Sequence, residues 1–391
     1  MCIRDRVGSL GVTNLDDLLQ LPTARGAAHY SKIRLTEDLP RSAGVYIFKN
    51  SADTPIYVGK AANLRARVRQ YFYGDKRRSI ADMMKELHSI EIRVCDTVIE
   101  AEIAEIRLIH AFRPRYNRRS RPPKSSHFVK LTDERFPRLS VVRALRDNGL
   151  AYLGPFRSKR AADLVVTAIW DAVPIRRCRA KPPKRAESPK QAGKCASAQL
   201  GVARCPCDGS LDEAGYRRVV DLLVTAIDQT PAIVLDPLAN RMMRLSDQRR
   251  YEEAAQVRDR HDALALAIER RRAWRALTAA GVLEAETRAG ARVVVDHGRL
   301  VETRAAGAPP GPLTPRPVPA PALPEAPPGA QTAEAPPDVQ AAEEAGLLWK
   351  WLTTSPARLV ECSGNLSLPS RPVVRLATGR KPGRSPSLAP S

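Results

Sequence analysis

The stretch from Gly44 to Tyr71, GVYIFKNSADTPIYVGKAANLRARVRQY, limits the possible folds more than any other part of the chain. Two short apolar runs, Gly44 to Phe48 and Ile56 to Gly59, flank a polar loop of Lys49, Asn50, Ser51, Asp53 and Pro55 and are expected to pair as antiparallel strands. Strand alternation puts Tyr46 on the face opposite Val45 and Ile47, and Tyr57 opposite Val58, so pairing gathers two phenols beside Gly59 and Lys60. A helix is expected to open near Ala61. Its Leu64 and Val68 share one face while Arg65, Arg67 and Arg69 point elsewhere, with Tyr71 closing the segment, and Arg67 is the cation best placed to grip a phosphate.

A second helix is expected from Asp96 to Phe112, with Thr97 and Glu100 as a capping box and Ile99, Ile103, Ile106 and Ile109 as its buried stripe. Glu105 sits beside that stripe, twelve residues before Asn117 in the run PRYN. Arg118, Arg119, Arg121 and Lys124 follow, and no acidic residue occurs between Glu105 and Asp133. A charge run is usually a solvated face, but one that starts beside Asn117 reads as a rim that tracks phosphates. Contact with a phosphate-bearing polymer, DNA if the resemblance described below holds, is expected from these four residues together with Arg65, Arg69, Tyr71 and Arg115.

Taken singly, a Tyr and Gly in a strand pair are core and turn, and a Glu on a helix is solvated. The joint order is different: GVY, then YVGK, then NLRARVRQY resembles the GIY-YIG nuclease domain of the UvrC-like type. The resemblance implies an α/β (α+β) fold with a short antiparallel sheet flanked by helices. It also implies a catalytic set of Tyr46, Tyr57, Gly59, Lys60, Arg67, Glu105 and Asn117. Tyr46 is expected to activate the water, Tyr57 to orient the phosphate or assist, and Asn117 to support the site. One carboxylate, Glu105, suits a Mg2+ (or Mn2+) ion that keeps most of its waters. An unperturbed tyrosine ionises near pH ~10, so Tyr46 can serve as a base only if Lys60 or the metal lowers its pKa.

Length and charge bound the rest. A chain of 391 residues suggests two or three domains with linkers, and a formal charge of +22 is the footprint of a polyanion binder. No apolar run approaches a membrane span, and no signal peptide opens the chain. Seven irregularly spaced cysteines without such a signal point to a reducing cytoplasm.

Residues 1–38 are expected to be a connector with a short helix from Asn14 to Leu21. VTNLDDLLQLPTARGAAH resembles the segment after a DnaQ-type exonuclease in proteins that fuse such a domain to a UvrC-like half, and the opening MCIRDR suggests a truncated start. The nuclease domain is placed at 39–122 and a middle region at 123–230. The middle region is expected to hold strands from His127 to Thr132 and Arg138 to Leu145, a hairpin at Asp147, Asn148 and Gly149 into Ala151 to Phe156, and a helix from Ser158 to Ala172. Its AYLGPFRSKRAAD resembles the YFGPF segment of UvrC-like proteins.

Cys178, Cys195, Cys205 and Cys207 could be metal ligands for zinc or an iron–sulfur cluster, and the resemblance implies the cluster. The CPC pair departs from the family spacing and is expected to chelate one centre poorly, with Ala203 where the third cysteine should stand; plain reduced thiols are the alternative. The intervening KPPKRAESPKQAGK reads as a loop.

A helix is expected from Gly215 to Asp228, and Asp236 with Pro237 is expected to start the next. The helical hairpin at 231–275 carries Tyr251, Ala254, Val257, His261, Leu264 and Ile268 on one stripe, and YEEAAQVRD resembles the UVR motif shared by UvrB and UvrC. Tyr251, Ala254, Val257 and Leu264 are therefore expected to meet a UvrB-like partner, although an ordinary helix pair packing on its own domain shows the same stripe. A small β region at 276–306 with a turn at His297 and Gly298, a Pro- and Ala-rich linker at 307–340, and a C-terminal helix and basic tail at 341–391 complete the chain.

The expected function is one metal-dependent nick in damaged or distorted DNA, on the 3′ side by resemblance, as in nucleotide excision repair. The rivals are a DNA-binding adaptor that does not cut, an accessory module of a 3′–5′ exonuclease, and a nuclease for RNA or branched DNA. The carboxylate at Glu105 argues against simple binding, because it repels phosphate unless a cation lies between.

Overall fold

The computed structural model describes residues 30–73, 77–146, 148–179, 195–208, 211–307, 337–367 and 376. The expected connector helix at 14–21, the loop between Cys178 and Cys195, Asp147, most of the linker and most of the tail lie outside them. The described residues form two compact units, one within 30–123, 273–307 and 337–367, the other chiefly within 124–272.

In the first unit β1 (Gly44–Lys49) and β2 (Pro55–Ala61) pair antiparallel, and β3 (Ser89–Val94) joins the other edge of β1, in the order β2-β1-β3. Register sets Tyr46 across from Gly59 and Phe48 across from Tyr57 on one face, and Ile47 across from Val58 and Val45 across from Lys60 on the other. The tyrosine face is covered by α1 (Leu64–Arg69), whose N-cap Asn63 accepts from Ala66 N at 3.0 Å, and by α2 (Arg78–Glu86). The helix expected near Ala61 therefore opens three residues later, where the Asn63 side chain satisfies a free N–H.

Helix α3 (Val98–Phe112) covers the other face, packing Ala101, Ala104, Leu108 and Ile109 on Val45, Ile47 and Val58. Thr97 caps it as expected, while Glu100 reaches back one residue further than a capping box requires, to Asp96 N at 2.8 Å. Ile99 and Ile103 are buried on a second side of the helix, and Ile106 is only half-buried. That second side packs against a four-stranded antiparallel sheet ordered β10-β7-β8-β9 and a late helix, α8 (Val339–Thr354). The strands are β7 (Val282–Glu286), β8 (Arg292–Asp296), β9 (Arg299–Arg304) and β10 (Arg358–Cys362). His297 and Gly298, both at positive φ, make the expected turn between β8 and β9.

The second unit holds a three-stranded sheet in the order β5-β4-β6, from β4 (His127–Thr132), β5 (Leu139–Val142) and β6 (Gly149–Phe156). The expected hairpin between β5 and β6 does not form, because both strands pair with β4 instead and leave their turn to cross its end. Helices α4 (Lys159–Ala172), α5 (Glu213–Asp228), α6 (Ala232–Asp247) and the first part of α7 (Tyr251–Ala279) share one core with this sheet. Helix α6 starts earlier than Asp236, so Pro237 lies inside it and removes one intrahelical N–H.

Candidate active site

The sheet leaves β2 as an edge strand, with Tyr57, Gly59 and Lys60 on it, Tyr46 on the neighbouring β1 and Asn117 bonded to its outer side. Tyr46 is 1% exposed, and a Cβ on Gly59 would stand 2.4 Å from its hydroxyl, so Gly59 is required because the Tyr46 ring lies across it. Tyr71, which follows α1 in the turn Gln70–Tyr73, completes a cluster of phenols: its hydroxyl is 2.9 Å from that of Tyr46 and donates to that of Tyr57 at 3.3 Å. A phenol has one proton to give, so if Tyr71 donates to Tyr57, Tyr46 must donate to Tyr71. Tyr57 then ends the chain with its own proton free to point outward. Burial pushes all three phenols above the ordinary tyrosine range.

Tyr71 was expected to contact DNA; the structure instead buries it between the other two phenols. The signal for this was available, since Leu64, Val68 and Tyr71 stand at i, i+4 and i+7 and continue one stripe. Arg69 is likewise withdrawn from any DNA role. It is 4% exposed and donates from Nε to Thr36 Oγ1 at 2.9 Å, so it anchors the segment before β1.

Arg67 stays exposed, lies 5.4 Å from the Tyr71 ring centroid and donates from Nη1 to Gln70 Oε1 at 2.8 Å. Lys60 departs from expectation, because alternation turns it to the α3 face, where its ammonium pairs with Glu102 at 2.5 Å. It is therefore not the group that lowers the pKa of Tyr46. Glu105, on α3, is half-buried, and among the described residues no hydrogen bond or ion pair engages it. Burial raises its pKa above the usual carboxylate range, Lys60 and Arg67 oppose the rise and Glu102 adds to it. A partly desolvated carboxylate without a partner fits a hydrated divalent cation.

Asn117 is 6% exposed and accepts from Val58 N at 2.9 Å while donating from Nδ2 to Val58 O at 2.8 Å. It thus occupies the open edge of β2 as a neighbouring strand would, helped by Tyr116 N donating to Ile56 O at 3.1 Å. Of the expected DNA contacts, Arg118, Arg119 and Lys124 are exposed and Arg65 and Arg121 half-buried, while Arg115 pairs with Glu86 at 2.8 Å.

The hairpin residues expected to meet a partner fare differently. Ala254, Val257 and Leu264 are buried in the core of their own unit, as an amphipathic helix pair needs, and Tyr251 is 64% exposed.

A three-stranded antiparallel sheet between helical layers, with tyrosines, an arginine and one carboxylate at its edge, defines a GIY-YIG endonuclease domain. The comparisons bear this out: the chain carries a UvrC-like GIY-YIG domain at residues 42–118, followed by a UvrC/Cho excinuclease middle domain at 127–226. A putative bifunctional exonuclease/endonuclease protein of Mycobacterium tuberculosis is 32% identical across 98% of the chain and 60% of its own length. The UvrABC system protein C of Syntrophotalea carbinolica is 35% identical over 60% of the chain and 38% of its own length. The chain thus spans less than two thirds of each of these relatives, 60% of one and 38% of the other. The GIY-YIG N-terminal endonuclease domain of UvrC from Thermotoga maritima, a structure bound to magnesium, is 39% identical over 22% of the chain and 96% of its own, with a TM-score of 0.21.

Proposed function

We propose that this chain is a divalent-metal-dependent endonuclease that nicks one strand of DNA near a lesion or distortion, on the 3′ side by its UvrC-like resemblance. The observation that carries the reading is the Glu105 carboxylate, without a hydrogen-bond or ion-pair partner among the described residues and held partly out of water beside Arg67 and Tyr57. Phosphodiester cleavage needs fixed positive charge where the phosphate gains negative charge. Glu105 would hold Mg2+ or Mn2+, which when bound polarises the phosphate and acidifies water.

Arg67 meets the phosphate oxygens from the exposed side. Tyr57, the outer phenol, donates to the phosphate or to the attacking water, and Tyr46, the inner end, tunes Tyr57 through Tyr71 rather than meeting water itself. That reverses the order of roles expected from sequence, because Tyr46 is buried and Tyr57 is not. Arg118, Arg119 and Lys124 guide the strand. A UvrB-like protein is the proposed partner of the hairpin, through the exposed Tyr251, and the proposed setting is the cytoplasm. Among the described residues no helix is long and apolar enough to cross a membrane.

Backbone chemistry carries no base readout, so substrate choice must be measured. Duplex DNA with one bulky adduct, undamaged duplex, branched DNA and RNA, each end-labelled, are compared in Mg2+ and in EDTA. A single Mg2+-dependent nick confined to the adducted duplex is expected. Equal binding of all DNA with no cutting, with or without a UvrB-like protein, would favour the adaptor.

A further inference from the structure

Four thiols converge in the second unit, and the nuclease reading uses none of them. Cys178 follows α4, Cys195 caps the short helical turn Ala196–Gln199, and Cys205 and Cys207 flank Pro206 at the 3-10 turn Pro206–Asp208. The Cys178 sulfur stands 3.1 Å from that of Cys205 and 3.3 Å from that of Cys207, and all four sulfurs lie within 4.8 Å of one another. The CPC spacing therefore does not keep Cys205 and Cys207 from one centre, because the turn at Pro206 aims both side chains the same way. Ala203, where the family pattern would put a cysteine, is buried, and the set closes through Cys207 instead.

The spacing discriminates between the candidate occupants. Metal–sulfur bonds of ~2.3 Å around one tetrahedral ion give sulfur–sulfur edges of roughly 3.8 Å, and four sulfurs all within 4.8 Å of one another, with two pairs at 3.1 and 3.3 Å, are gathered closely enough for that size of site. An iron–sulfur cluster interposes several iron and sulfide ions between its thiolates and spreads them well beyond it. The cluster implied by the family resemblance does not fit. The backbone is fixed around this smaller site: Arg176, 2% exposed, donates from Nε to Cys178 O at 3.1 Å and from Nη1 to Phe136 O at 2.9 Å. Arg204 N donates to Pro174 O at 2.8 Å, which ties the approach to Cys205 to the approach to Cys178.

We infer that Cys178, Cys195, Cys205 and Cys207 form a closed four-thiolate site for a single tetrahedral divalent ion of the zinc class, in place of an iron–sulfur cluster. With four protein ligands the ion has no open position, so its role is to staple the segment after α4 to the segment before α5.

The test uses the full chain purified without oxygen and without added metal, so that loss of a cluster cannot imitate its absence. Elemental analysis is expected to find one zinc per chain and no acid-labile sulfide, and replacement by Co2+ to give the absorption of a tetrahedral cobalt–thiolate centre. Cys178→Ser and Cys205→Ser should each weaken metal binding at least tenfold, while Cys362→Ser should not. Should those variants fail to fold, chelation of the wild-type protein should release one zinc and expose four newly reactive thiols together. Iron with matching sulfide, or a chain that holds no metal and takes up no Co2+, would overturn the inference. Neither result depends on whether the protein cuts DNA.

Discussion

Two carboxylates in the first unit are drawn away from water on different sides of α3, and they differ in what they meet. Glu344 of α8 is fully buried, accepts from Arg107 Nε at 3.2 Å and Leu300 N at 2.7 Å, and takes a further short bond from Arg107 Nη2. Among the described residues Glu105 has no such partner. Residues 105 and 107 lie about 200° apart on a helix, so one helix presents a satisfied charge pair on one side and an unsatisfied carboxylate on the other. A satisfied buried carboxylate fixes structure; an unsatisfied one is kept at a cost in stability, which suits the cation-binding role proposed for Glu105.

The sharpest way to break this contrast is Glu105→Gln. Cleavage in Mg2+ should fall roughly 10²–10³-fold, the loss expected when a few kcal/mol of electrostatic stabilisation is removed. Stability in EDTA should not fall. Burial raises the folded pKa of Glu105 above its unfolded value, so ionising it destabilises the metal-free protein. The melting temperature of wild type should therefore approach that of the variant as the pH drops through the raised value, which calorimetry in EDTA at several pH values would show.

Glu344→Ala should behave in the opposite way. It leaves the Arg107 guanidinium largely buried without its carboxylate and should cost about 3–5 kcal/mol, read by urea unfolding through Trp274 and Trp349 of the same core. Asn117→Ala sharpens a subtler point, since it leaves Val58 N and O without partners at the edge of β2. A loss of about 1–3 kcal/mol is expected, with faster hydrogen exchange at Val58 and a fall in cleavage. Smallest of all, Lys60→Met breaks a half-exposed pair with Glu102 and should change stability by less than ~1 kcal/mol. Because Lys60 helps keep Glu105 ionised, its loss should move the acid limb of the pH–cleavage profile upward.

What the sequence disclosed follows the range of the interactions involved. The pairing of Tyr46 with Gly59 and the cap at Thr97 rest on neighbours in the chain, and alternation and spacing revealed them. Alternation also held the face of Lys60, since Val58 and Lys60 must share it, but the attraction of a cation beside phenols hid this. Arg69 looked like one more basic residue because its partner, Thr36, lies 33 positions earlier. The packing of Ile99 and Ile103 against α8 joins residues more than 200 positions apart, a pairing no local pattern encodes. At the cysteines, spacing alone did not reveal that all four sulfurs gather within 4.8 Å of one another, because the 3-10 turn at Pro206 sets where those of Cys205 and Cys207 point.

The direct test of Glu105 as the cation's ligand is nicking of an end-labelled duplex carrying one bulky adduct, by wild type and Glu105→Gln, in Mg2+ and in EDTA, with binding measured in parallel. Equal binding by both proteins, with a single cut made only by wild type and only in Mg2+, is the expected result. Cutting by Glu105→Gln at the wild-type rate, or by wild type in EDTA, would contradict it.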